Sequence, residues 1–213
     1  MKKFFLFLAL FSLACFIIVL SCNLIGGSFC SAIRPIYVYV GAGAIHLTLF
    51  SIALFFLWKK DLKTTLVAIG FPGKLKTTLI YSVIGLISVF AVLIILSLLA
   101  VYLGFNDQTK VSEKISGLPL VILAFAVFFA PISEELFFRA FLSPRVGIIF
   151  SSVIFGALHF SYGSIIEIVG VFVVGLLLGF IFEKSKSITP CIIVHLTYNL
   201  ISISAMLLLG GKI

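Results

Sequence analysis

The sequence predicts an all-α, polytopic bundle of about seven membrane-spanning helices, with the N-terminus in the cytoplasm. Three observations carry this. Of the 213 residues, 62% are hydrophobic and only 10% charged, whereas a soluble domain runs nearer half apolar and a quarter charged. A soluble chain of this length has too much surface per volume to hide such a composition. The apolar residues fall in runs near the roughly 20 that cross a ~30 Å hydrocarbon core, and the basic residues gather in alternate loops, as cytoplasmic ones do. Composition excludes a disordered chain, a disulfide scaffold, collagen and a nucleic-acid-binding domain.

The runs are 4–20, 36–58, 77–104, 118–142, 146–160, 165–182 and 188–209. They are too continuously apolar for alternating barrel strands, and a helix satisfies its own backbone hydrogen bonds in lipid. The first follows Met1-Lys2-Lys3 and is read as an uncleaved helix rather than a signal peptide, although Val19-Leu20-Ser21-Cys22 faintly resembles a lipoprotein cleavage site. Breaks fall at Asn23 to Pro35, Lys59 to Lys76 with Pro72-Gly73, and Asn106 to Gly117. Short turns follow around Ser143-Pro144, Ser161 to Ser164 and Glu183 to Ser187. The fifth run is short, so it must stand upright or lean on neighbours that thin the membrane. Residues 1–116 read as an N-terminal three-helix region and 117–213 as a four-helix core, together one integrated membrane domain. Cys15, Cys22, Cys30 and Cys191 show no metal-ligand spacing; Cys22 and Cys30 could pair in an oxidising compartment.

With the N-terminus inside, eleven basic residues lie on the cytoplasmic side: Lys2, Lys3, Lys59, Lys60, Lys63, Lys74, Lys76, Arg139, Arg145, Lys184 and Lys186. Four lie outside: Arg34, Lys110, Lys114 and Lys212. The expected location is therefore the cell membrane, multi-pass. The formal charge of +8 belongs to topology and to anionic membrane lipids; no nucleic acid partner is needed.

An ionisable group at membrane depth costs several kcal/mol by insertion scales, so each needs a partner or a function. The polar groups of interest are His46, Glu134, Glu135, Arg139, His159, Glu167, His195 and Asn199. Glu135 and Arg139, four apart, share a helix face and can pair. Glu134 is rotated from Glu135 by about 100°, so one carboxylate is neutralised while its neighbour is left free to work as a base. The bland alternative is an ion pair at a helix end. His195 and Asn199 also share a face, which alone could be interhelical glue. Depth joins the groups. Counted at ~1.5 Å per residue from the cytoplasmic ends, Glu134 lies roughly 12 Å deep, His159 roughly 20 Å, and His195 and Asn199 roughly 10 and 16 Å. His46, without a companion at helical spacing, reads as a core histidine. Glu167, near the outer end of the sixth run, reads as a solvated or headgroup contact and Trp58 as an interfacial anchor.

Glu134-Glu135 with Arg139, Phe155 with His159, and His195 with Asn199 resemble, in order, the E-E-x-x-x-R, F-x-x-x-H and H-x-x-x-N motifs of the CPBP family of intramembrane proteases, also called the Abi or CAAX protease-like family. The resemblance covers roughly residues 117–209 and implies hydrolysis of a peptide bond in a membrane-associated or lipid-tethered polypeptide. It implies Glu134 as the base that activates water. Glu135 and Arg139 would fix the helix, and His159, His195 and Asn199 would hold the water or the oxyanion. A substrate peptide is expected from the cytoplasmic side. Two histidines and a carboxylate would also suit a catalytic zinc site. There is no H-E-x-x-H helix, however, and Asn199 is a better oxyanion donor than zinc ligand. No cofactor is firmly implied, and a divalent metal such as zinc stays open. The alternative is a non-catalytic membrane immunity or partner-binding protein of the same fold. A proton-coupled transporter would predict an internal repeat and discontinuous helices, and neither is visible.

Overall fold

A computed structural model describes residues 1–25, 36–105 and 107–208. Cys30, Arg34 and Lys212 lie outside the described residues, and with them any Cys22–Cys30 pairing. The described residues form helices and no strand. In chain order they are α1 (Lys2–Ile25), α2 (Tyr37–Leu57), α3 (Leu62–Ala68), α4 (Leu75–Tyr102), α5 (Thr109–Ser116), α6 (Leu120–Val146), α7 (Ile148–Tyr162), α8 (Ile165–Ser185) and α9 (Thr189–Leu208). Six of them, α1, α2, α4, α6, α8 and α9, are long and apolar enough to cross a membrane. Their outer flanks expose apolar side chains, such as Leu79, Val83, Ile87, Ile94 and Leu98 on α4. Lipid accepts such a surface and water does not.

The fifth expected span is α7, and it falls short. Ten α-helical residues and five of tighter 3₁₀ helix rise only roughly 25 Å. Gly147 and Gly163 bound it with φ of 85° and 75°, which a residue without Cβ adopts freely. A close glycine-rich seam seats α7 against α8. A Cβ on Gly156 would stand 2.9 Å from the Ile168 carbonyl oxygen, and one on Gly175 3.0 Å from Ser152 Cβ. Small residues let the two backbones approach in a medium that gives helices no hydrophobic reason to associate. The seam buries Phe155 and so places His159 one turn further on.

The helices alternate in direction, and side-chain and backbone bonds show which ends lie together. At one end the Ser187 hydroxyl donates to the Gly70 carbonyl at 2.6 Å, and the Gly73 N–H donates to Thr189 Oγ1 at 3.0 Å. Phe5 packs on Trp58 with ring centroids 5.4 Å apart, and the Arg145 guanidinium lies over Phe141 and Phe56. The N-terminus, the α2–α4 connection, the α6–α7 junction and the α8–α9 turn thus share this end. It carries Lys59, Lys60, Lys63, Lys74, Lys76, Arg145, Lys184 and Lys186. A cluster of Ala53, Ile69, Leu136, Ala140, Phe141 and Ile188 fills the bundle there. Arg139, counted above among the loop cations, is instead fully buried.

At the opposite end the α4–α6 connection is tied to the α7–α8 turn. Asp107 accepts from the Ser164 hydroxyl and the Ile165 N–H, at 2.8 and 2.6 Å. Lys110 and Lys114 of α5 donate to the carbonyls of Gly163 and Ser161. Two segments read as breaks in the sequence are short helices here. Asp61 caps α3 by accepting the Thr64 N–H at 2.8 Å. In α5, Val111 and Ile115 face Leu123 in a small buried cluster while the charged residues face out.

Candidate active site

Helix α6 changes pitch at the site. Pro131 sits in the first turn of the segment Ala130–Glu135, where its missing N–H costs little. A π-helical stretch, Leu136–Leu142, follows directly; such widened turns occur frequently at functional sites. Glu135 and Arg139 are both fully buried and paired, with Arg139 Nε donating to Glu135 Oε2 at 3.0 Å. The guanidinium carbon lies 4.8 Å from the centre of the Phe155 ring, a favourable place for a cation. The other oxygen of Glu135 is 2.8 Å from His195 Nδ1. A carboxylate can only accept there, so it fixes a proton on Nδ1 and turns Nε2 outward.

What Nε2 meets is Glu134. Its Oε2 lies 3.7 Å from His195 Nε2, and its Oε1 lies 3.7 Å from His46 Nδ1. His46 Nδ1 is also 2.9 Å from Ser133 Oγ. The Ser133 hydroxyl donates to the Ala130 carbonyl at 2.9 Å, so it must accept from His46. His159 Nδ1 donates to the Phe155 carbonyl at 3.0 Å, which leaves its Nε2 free. Phe155 stands between the imidazoles, its ring centroid 5.2 Å from that of His159 and 6.0 Å from that of His195. Asn199 spends one amide hydrogen on the Ala126 carbonyl at 3.0 Å and keeps the other.

These groups line one cavity of about 310 Å³: Glu134, His46, His159, His195 and Asn199. Glu135 and Arg139 lie behind its wall. The chain contains three histidines, and all three line this cavity. His46 is therefore no core histidine, as the sequence suggested, but a member of the site. The usable signal was the scarcity of histidine in so apolar a chain; helical spacing carried none, because its partner Ser133 lies 87 residues away.

The cavity extends in one direction. Beyond the cluster its walls are Leu96 and Ser97 of α4, Val111 and Ile115 of α5, Ile166 and Glu167 of α8, and Ser202 and Met206 of α9. On each of these helices that is the half remote from the basic end. A second hollow, between α7 and α8 at the basic end, shares no residue with it. At the basic end the interior is filled by the packed cluster around Phe141 and Ile188. Glu167, expected against headgroups, is half-buried in the cavity wall.

A family model described as type II CAAX prenyl endopeptidase, Rce1-like, matches residues 116–201. Over that segment the chain is similar to the CAAX protease-like family. No curated protein and no solved structure matches the chain. The CAAX protease-like segment holds every residue of the three motifs, while His46 lies upstream of it on α2. The family so matched is one of CAAX prenyl endopeptidases, and the six long apolar helices make the chain a multi-pass membrane protein.

Among the described residues no three His, Cys, Asp or Glu side chains are grouped so as to hold an ion. His195 and His159 each bond through Nδ1, to Glu135 and to a backbone carbonyl, and keep Nε2 free.

The two adjacent glutamates differ in what they hold, which gives a stability test. Glu135→Ala strands a buried guanidinium and an imidazole, and is expected to destabilise the protein by about 3–5 kcal/mol. Glu134→Gln removes no direct hydrogen bond and should leave thermal unfolding in detergent almost unchanged. Equal losses for the two variants would contradict this division.

Proposed function

We propose that the chain is an intramembrane endopeptidase that hydrolyses a peptide bond of a membrane-associated or lipid-tethered polypeptide. The observation that carries this reading is Glu134: a carboxylate facing the cavity between two imidazoles, each 3.7 Å away, beside a second carboxylate whose oxygens are both engaged. A gap of 3.7 Å is too long for a direct hydrogen bond and suits a bridging water. Water held there by Glu134 and Nε2 of His195 would attack the peptide carbonyl as Glu134 takes its proton. The carbonyl oxygen becomes an oxyanion, stabilised by the free amide hydrogen of Asn199 and by His159 when its Nε2 is protonated. Collapse breaks the C–N bond, and the proton on Glu134 passes to the leaving amine. Glu135 and Arg139 position His195 and touch no substrate.

The same reading places the protein in the cell membrane. If the basic end is cytoplasmic, the cavity extends toward the outer face, and the substrate is presented from that side. This replaces the cytoplasmic access that the sequence suggested. It is supported by the lining of the cavity and by the packed apolar cluster at the basic end.

Two measurements test the proposal. In detergent, Glu134→Gln is expected to slow cleavage of a fluorogenic peptide mixture by at least about 100-fold, and Asn199→Ala by roughly 10- to 1,000-fold. A rate unchanged in Glu134→Gln rules out its role as base. In intact cells, a membrane-impermeant maleimide should label Glu113→Cys and spare Lys63→Cys until the cells are opened. The reverse pattern would overturn the outward access.

A further inference from the structure

One carboxylate in the cavity has no part in the chemistry above. Glu167 lies in the first turn of α8, and Ser164-Ile165-Ile166-Glu167 has the spacing of a capping box, in which the glutamate would reach back to the serine N–H. It does not. Ser164 Oγ accepts the Glu167 N–H at 3.1 Å, and Asp107 accepts both the Ser164 hydroxyl and the Ile165 N–H. The helix end is thus satisfied from another segment. Among the described residues the Glu167 side chain has no hydrogen bond and no ion pair, and the two α5 lysines are committed to the carbonyls of Gly163 and Ser161. The carboxylate instead forms the outer wall of the cavity with Tyr162, Tyr198 and Ser202.

The charge around it is one-sided. The lining contains two carboxylates, Glu134 and Glu167, and no lysine or arginine. A half-buried carboxylate without a cation is costly in a low-dielectric wall, and a ligand that brings a cation removes that cost. We propose that Glu167 binds a positively charged group of the substrate: a Lys or Arg side chain, or a free N-terminal amine. This rests on the endopeptidase reading and gives it a substrate class.

The geometry also fixes where the charge sits along the peptide. Glu134 is the fifteenth residue of α6 from Leu120, and Glu167 the third of α8 from Ile165. Both helices begin at the same end, where Leu118 and Tyr162 pack on one cluster. At ~1.5 Å per residue the two carboxylates are separated by roughly 15–18 Å along the bundle. An extended peptide covers that in about five residues at ~3.3 Å each. The reach of a lysine side chain shortens it, which puts the cation about three to five residues from the cleaved bond.

The test uses full-length protein in phosphatidylcholine nanodiscs, so that no anionic lipid attracts basic peptides. Apolar decapeptides with a single Lys, and the same peptides with Gln in its place, are titrated onto Glu134→Gln, which cannot hydrolyse them on this account. The Lys peptides should bind about tenfold more tightly, and the difference should vanish in Glu134→Gln/Glu167→Gln and reverse for Glu peptides in Glu134→Gln/Glu167→Lys. Acetylating the N-terminus separates the amine from the side chain as the source of charge. A preference that persists without Glu167, or no preference in Glu134→Gln, overturns the proposal. Cleavage-site profiling of a mixed peptide library by the wild type is the second arm. It should show Lys or Arg enriched three to five residues from the cut, and Glu167→Gln should lose that enrichment. Binding preference without any cleavage would sink the endopeptidase reading and leave the Glu167 site standing; cleavage without charge preference would do the opposite.

Discussion

Everything at the centre of the bundle follows from the need to satisfy one buried carboxylate. Glu135 is fully buried in a chain surrounded by lipid, where an unpaired charge would cost several kcal/mol. Its two oxygens are met by Arg139, four residues on in α6, and by His195, brought in by α9. Those two bonds lock the rotation of α6 and the tautomer of His195 together. They also decide the fate of Glu134. With the adjacent carboxylate saturated, the helix turn carries Glu134 round into the cavity, where it faces imidazoles and the space between them. A buried, fully paired glutamate and one that faces the cavity are thus made from identical residues by a rotation of about 100°.

The rest of the fold places that turn in an asymmetric bundle. At the basic end, aliphatic and aromatic side chains close the interior. Toward the other end α7 stops short, α5 lies across the gap, and the interior stays hollow. The glycine seam between α7 and α8 holds Phe155 against Arg139, and Phe155 separates His159 from His195. Backbone contact between two helices therefore sets the spacing of two imidazoles.

Much of this was legible in the sequence, because it depends on local periodicity. The membrane spans follow from run length, and the pairing of Glu135 with Arg139 follows from four-residue spacing. The meeting of Glu134 and His195 follows from counting depth along helices. What escaped depends on packing between distant segments. His46 touches the site through residues 87 positions away, so no window could show it. Glu167 has the spacing of a cap, but Asp107 does the capping, which only the tertiary structure reveals. The direction in which the cavity extends is likewise a matter of packing: basic loops mark a side of the membrane, but they do not say at which end the interior is filled. The short helices α3 and α5 read as breaks in the sequence because their few turns sit among charged residues.

The most direct test of the account is an experimental structure fine enough to show ordered water in the cavity. A water within hydrogen-bond distance of both Glu134 Oε2 and His195 Nε2, with Nδ1 of His195 still bonded to Glu135, is the predicted result. A Glu134 side chain turned away to lipid, or a dry cavity with the carboxylate bonded directly to protein, would contradict it.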